Sequence, residues 1–180
     1  MQKVWTYHDL KRTPDDGRRY EIFDGELVVT PSPGPPHQFA VVELTVLFHD
    51  LLRDVAIAIV SPVDVVLSWT RVVIPDVVVV RRQRSAIITD RAVEGAPDLV
   101  VEVLSPKSSR RDRYRKARLY ARVGIPEYWI VDPRAKTVEV YALGDRGYCL
   151  DCEYTERDCV RSVTFDLEVD VATIFPAITR

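Results

Sequence analysis

Apolar and polar positions fall into two kinds of pattern along this chain, one with period two and one with helical spacing. The segments YEIF and ELVV flank Asp24-Gly25, and a two-residue connection of that kind favours a tight β-hairpin because both residues tolerate positive φ. Before it, Thr6 and Asp9 have capping-box spacing, which predicts a brief helix ending at a turn over Pro14-Asp15-Asp16-Gly17. Pro31 to Pro36 read as a proline-rich loop. Beyond it Phe39, Val42 and Val46, with Leu44, Leu47 and Leu51, recur at helical spacing and predict a long amphipathic helix ending near Arg53.

Four β-branched runs follow, VAIAIV, DVVLSW, PDVVVV and DLVVEVL, separated by Pro, Asp and polar turns, and they read as the core of a sheet. VVVV and LVV are apolar on both faces, as strands covered from two sides must be. Ser109 to Val123 is predicted helical, stopped by Gly124 with Pro126 beyond. EYWIVD and TVEVYAL form a second antiparallel hairpin around Pro133-Arg134-Ala135-Lys136, and the stretch from Gly144 onward is weakly patterned. This order implies a mixed α/β (α+β) fold with a central mixed β-sheet flanked by helices, an N-terminal hairpin and a C-terminal β-hairpin.

Composition narrows the class. A length of 180 residues with 47% hydrophobic and 29% charged content suits one globular domain over residues 1–180. The apolar runs break well short of the ~18 residues that a membrane span requires. The N-terminal stretch mixes charges of both signs, unlike a secretory signal. The expectation is a cytoplasmic protein without membrane contact. Cys149, Cys152 and Cys159 are odd in number and distant from His8, His37 and His49, which argues against both a disulfide framework and a structural zinc site.

A net charge of −2 supplies no global field for a polyanion. Between Lys107 and Arg122, however, eight basic residues face a single acid, Asp112. On a helical wheel Arg111, Arg115, Arg118 and Arg122 form one stripe, while Lys116 lies roughly opposite with Asp112, Leu119 and Tyr120. Lys116 can therefore either point over the strand ends or pair with Asp112 four residues earlier.

Glu102 interrupts an apolar strand, where a carboxylate is costly to bury unless it is paired, protonated or bound to a metal. Asp76 and Asp98 each follow a proline at the head of a strand. Asp98 would sit about 13 Å from Glu102 along the same strand, too far to share an ion, whereas a neighbouring strand about 5 Å away could bring Asp76 to it.

YEIFDGELV, SPGPPH, PDVVVV, GAPDLVVEVLSP, then Asp112, Lys116, Tyr120 and GIPEYWIVDP, together resemble the Uma-type restriction endonucleases of the PD-(D/E)xK nuclease superfamily, over roughly Tyr20 to Leu143. The resemblance implies metal-dependent hydrolysis of DNA phosphodiester bonds, with Mg²⁺ (or Mn²⁺) held by Asp76, Glu102 and the Val103 carbonyl and no small-molecule cofactor. Leu104 stands where the superfamily lysine is expected, two positions after the acid. The resemblance moves that role to Lys116 in the following helix, with Lys107 as competitor. Lys107, Arg111, Arg115 and Arg118 are then candidate phosphate contacts. Glu21 and His37 also match the family pattern, with capping or packing as their simplest roles. Cutting both strands with one site per chain implies a homodimer, for which Trp129, Val138 and Tyr141 offer an apolar surface. The competing reading is a catalytically silent nucleic-acid-binding or assembly module on a nuclease fold.

Overall fold

The computed structural model describes residues 3–105 and 110–175, and in 110–112 the backbone alone. In chain order the elements are α1 (Tyr7–Leu10), β1 (Arg19–Phe23), β2 (Glu26–Thr30), α2 (Pro35–Leu52), β3 (Ala56–Val60), β4 (Asp64–Ser68), β5 (Arg71–Val73) and β6 (Val77–Arg81). After a 3-10 segment at Arg82–Ile87 come β7 (Ala92–Glu94), β8 (Leu99–Val103) and α3 (Arg110–Arg122). The remainder is β9 (Glu127–Asp132), β10 (Thr137–Gly144), β11 (Gly147–Thr155), β12 (Cys159–Arg161), β13 (Glu168–Asp170) and α4 (Val171–Ile174).

Two larger sheets organise these strands. The central one has the order β11-β10-β9-β8-β6-β3 and is mixed, since β8 and β9 run parallel while the other neighbours are antiparallel. A second sheet, β2-β1-β5-β4-β7, carries the N-terminal hairpin. Of the four apolar runs, DVVLSW therefore leaves the central sheet for the second one. Asp64 and Ser68 make that strand less apolar than its companions, and its register with β5 shifts after Val66.

Alternation along the central strands divides the core in two. Val77, Val79, Leu99, Val101, Trp129 and Val131 face Leu44, Phe48 and Leu52 of α2, together with apolar residues of β12, β13 and α4. Trp129 meets Phe48 edge to face at 5.4 Å. Val78, Val80, Val100, Tyr128 and Ile130 face the other way, against Leu119, Tyr120 and Ile125 and against Phe23, Val65 and Val73 of the second sheet. Burial on both faces accounts for the unbroken apolar runs.

Local chemistry explains the boundaries. Asp24 and Gly25 both have positive φ, 50° and 84°, as a hairpin turn of this handedness demands. Helix α2 begins at Pro35, inside the stretch that reads as loop, because proline suits a helix's first turn, where its missing N–H is not needed. Gly124, at φ 80°, closes α3. The stretch beyond Gly144 is more ordered than its pattern implies. Strand β11 has one covered neighbour and a largely exposed surface, so it lacks a clear apolar period. Buried Glu127 fixes the next segment, accepting from Trp129 Nε1 at 2.5 Å, Ser162 Oγ at 2.7 Å and the Thr164 amide at 2.8 Å.

Trp129 and Val138 are fully buried in this core, so they form no part of an exposed interface. Among the described residues no helix is long and apolar enough to cross a membrane.

Candidate active site

Strands β6 and β8 are antiparallel neighbours, with Val77 opposite Val101. The head of β6 and the tail of β8 thus lie at one edge of the sheet, and Asp76 and Glu102 end up in the same cavity of about 360 Å³. The Asp76 amide donates to the Val101 carbonyl at 3.2 Å, and its carboxylate continues the ladder by accepting the Val103 amide at Oδ2, 2.8 Å away. The same Oδ2 lies 3.0 Å from His37 Nε2, while Arg19 Nη1 donates to Oδ1 at 2.6 Å. Asp98 is elsewhere, accepting from the Arg81 amide at 2.8 Å and Arg84 Nη1 at 2.7 Å. That engagement is structural: it ties the 3-10 segment to the head of β8.

Glu102 shares its strand face with Val100, the face covered by α3. There Lys116 Nζ donates to both carboxylate oxygens, at 2.8 and 2.9 Å, and the Tyr120 hydroxyl donates to Oε1 at 2.7 Å. Lys116 and Tyr120 are one helical turn apart, so a single face of α3 supplies both. Lys116 also lies 3.1 Å from Glu21 Oε1, which in turn accepts the Ile74 amide at 2.9 Å. The lysine is thus held by two carboxylates from two different sheets.

Strand β1 adds more than its hairpin pattern suggests. Arg19, Glu21 and Phe23 share one face of the strand, with Tyr20 and buried Ile22 on the other, and all three line the cavity. Glu21 and His37 thus both line the cavity that holds Asp76 and Glu102, and Glu21 in addition accepts the buried Ile74 amide. Their signal in the sequence is membership of the family pattern, and for Glu21 an acid amid the apolar YEIF run. Tyr120 could have been placed by its spacing from Lys116. Arg19 has no comparable signal, because an arginine at the start of a hairpin strand is unremarkable by composition.

Electrostatics follow from this packing. Burial pushes the Glu102 carboxyl up to about 7, opposed by Lys116 and reinforced by the Asp76 and Glu21 carboxylates. Burial works the same way on Asp76, but His37, Arg19 and Lys116 outweigh it and hold that carboxyl below its usual range. Burial disfavours the Lys116 ammonium, yet Glu102 and Glu21 raise its pKa above the ordinary lysine value. Lys116 is accordingly a charged donor.

The remaining cations divide. Arg115 lines the same cavity, with Nη2 2.6 Å from Glu26 Oε2 and its guanidinium 4.6 Å over the Phe23 ring. Arg122 pairs with Asp24 at 3.1 Å. Arg118 is exposed and lines a separate groove. Lys107 and the Arg111 side chain lie outside the described residues.

A metal fits the donor set in kind. Among the described residues no three His, Cys, Asp or Glu side chains converge as a cage, but Mg²⁺ commonly takes only one or two carboxylates and completes its shell with water and phosphate. Asp76 and Glu102 offer hard oxygen donors in one cavity, and their present partners there include the cationic groups of Arg19 and Lys116.

A mixed sheet flanked by helices, with the acids at one strand edge facing a helix, is the architecture of the restriction-endonuclease-like proteins. Within that class the chain belongs to the Uma2 family, described as "Putative restriction endonuclease", whose match spans residues 5–172. That span exceeds the stretch over which the motifs alone carry the resemblance. The fold is shared with the crystal structure of "a putative nuclease belonging to DUF820" from Anabaena variabilis ATCC 29413, at TM-score 0.77 and 19% identity, covering 95% of this chain and 97% of that one. No curated protein matches the sequence.

Proposed function

We propose that the protein is a divalent-metal-dependent DNA endonuclease in which Asp76 and Glu102 hold Mg²⁺ (or Mn²⁺) and Lys116 acts on the attacking water. The observation that carries this reading is the placement of Lys116 Nζ against Glu102, at 2.8 and 2.9 Å, in a cavity that also holds Asp76. Phosphodiester hydrolysis requires a positioned water, neutralisation of charge on phosphorus and support for the departing oxygen. The metal would supply Lewis-acid activation of the phosphate and a nucleophilic water.

Each residue has a definite part in this scheme. Asp76 enters the reaction already oriented by the Val103 amide, Arg19 and His37. Tyr120 fixes the rotamer of Glu102. Lys116, kept charged by its two acids, donates hydrogen bonds to the water and to the charge that develops as it attacks. The Val103 carbonyl, at the tail of β8, is the proposed backbone ligand. Arg115 at the cavity, with Lys107, Arg111 and Arg118, contacts backbone phosphates, which position the substrate without reading its sequence. Two chains related by a two-fold axis would present two such sites to the two strands.

Nicking of supercoiled plasmid tests the reading. Wild type should cut in Mg²⁺ and stop in EDTA, and Asp76→Ala and Glu102→Gln should both be inactive. Equal cutting by all three would reject the assignment.

A further inference from the structure

A second concavity, of about 790 Å³, lies between α3 and the β10–β11 hairpin tip. Arg113 lines both this groove and the cavity around Asp76 and Glu102, so the two adjoin. Four arginines border the groove, Arg113, Arg118, Arg122 and Arg146, against one acid, Asp145. Arg113 and Arg122 are committed to Glu139 and Asp24. Arg118 on the helix wall and Arg146 on the hairpin wall make no ion pair or hydrogen bond among the described residues. Two groove-lining guanidinium groups without counter-ions among the described residues favour an anion in the groove.

The surface between those walls is not that of a simple anion site. Tyr114, which is 60% exposed, stands one turn before Arg118, and Tyr141 and Tyr148 lie on the hairpin side. Alanines at 117 and 121 keep the helix wall low, and Ile130 and Leu143 add apolar surface. Aromatic faces suit unpaired bases, whose rings are free to stack, whereas paired bases in a duplex already use both faces on their neighbours.

We infer that this groove binds a single-stranded segment of the nucleic-acid substrate, running out of the catalytic cavity past Arg113, with its phosphates on Arg118 and Arg146 and a base stacked on Tyr114. The inference rests on the nuclease reading for what occupies the neighbouring cavity. It adds the substrate class: a duplex carrying an unpaired extension or flap, rather than a blunt duplex alone.

Binding in EDTA, where cleavage does not intervene, separates this from the catalytic assignment. Fluorescence anisotropy would compare a blunt duplex with the same duplex bearing a ten-nucleotide single-stranded extension at either end. Wild type should bind one extended probe about tenfold more tightly than the blunt one, the gain that a single stacked base can provide. Arg118→Ala/Arg146→Ala should abolish that gain and reduce the salt slope for the extended probe by about 1.4, two single-strand phosphate contacts. Tyr114→Ala should remove most of the gain without changing the slope. Glu102→Gln, inactive in cleavage, should keep the gain in full. An equal affinity of wild type for all probes, or a gain that survives Arg118→Ala/Arg146→Ala, would overturn the proposal. Absence of metal-dependent cleavage together with an intact gain would instead count against the catalytic reading alone.

Discussion

Lys116 Nζ lies 2.8 Å from Glu102 Oε1, although fourteen positions separate the two residues and they belong to a helix and a strand. Leu104, two positions after Glu102, lines the same cavity. A lysine can therefore approach the site from either the strand or the helix, and among the described residues the lysine beside Glu102 is on α3.

That geometry predicts the behaviour of a lysine swap. Lys116→Ala should lower single-turnover nicking by about 10²-fold or more even at saturating divalent metal, the usual scale for loss of a positioned transition-state donor. Leu104→Lys placed on Lys116→Ala should recover part of the lost rate, because the new ammonium enters the same space. Lys107→Ala should weaken DNA binding and reduce the salt slope by about one. A normal rate in Lys116→Ala, with the loss appearing in Lys107→Ala, would transfer the role to Lys107.

Arg19 occupies one oxygen of Asp76, at 2.6 Å, so it competes with any cation that the carboxylate would hold. Arg19→Ala should tighten Mn²⁺ binding by about tenfold, equivalent to roughly 1.4 kcal/mol of removed competition. Titration calorimetry on the metal alone reads this directly, and a weaker or unchanged affinity would show that Arg19 supports the site rather than shielding it.

Glu127 has no exposed surface and accepts from one indole, one hydroxyl and the backbone amides of Val163 and Thr164. Glu127→Ala should cost about 3–5 kcal/mol in denaturant unfolding, since it strands several buried donors at once. A loss below about 1 kcal/mol would mean that water replaces the carboxylate without penalty.

Light scattering at micromolar concentration should give about twice the chain mass of 20.6 kDa if the endonuclease works as a two-fold dimer. A constant value at the monomer mass would restrict it to cutting one strand at a time. The interface cannot use Trp129 or Val138, which serve the core.

Much of the fold was legible because local rules act over a few residues. Asp24-Gly25 specifies its hairpin by φ alone, Gly124 stops α3 in the same way, and the two-sided apolar runs at β6 and β8 announce a covered sheet. The assignment of DVVLSW to a second sheet and the order within β11 were not legible, because strand partners are chosen by contacts between distant segments. Trp129 shows the same limit: its apolar ring fits an exposed hairpin face or a core equally well, and only packing against Phe48 decides.

The candidate site divides along the same line. The sequence by itself marks Asp76 and Glu102, since an acid beside or within an apolar strand stands out against its neighbours, and helical periodicity separates Lys116 from the arginine stripe. Only the tertiary structure decides that Lys116 is shared with Glu21, that Arg19 and His37 hold Asp76, and that Tyr120 holds Glu102. The physical reason is reach. Periodicity fixes which face of its own element a side chain takes, but hydrogen bonds and charge pairs form over about 3 Å, and nothing in a strand's own pattern says which other element will be brought within that distance.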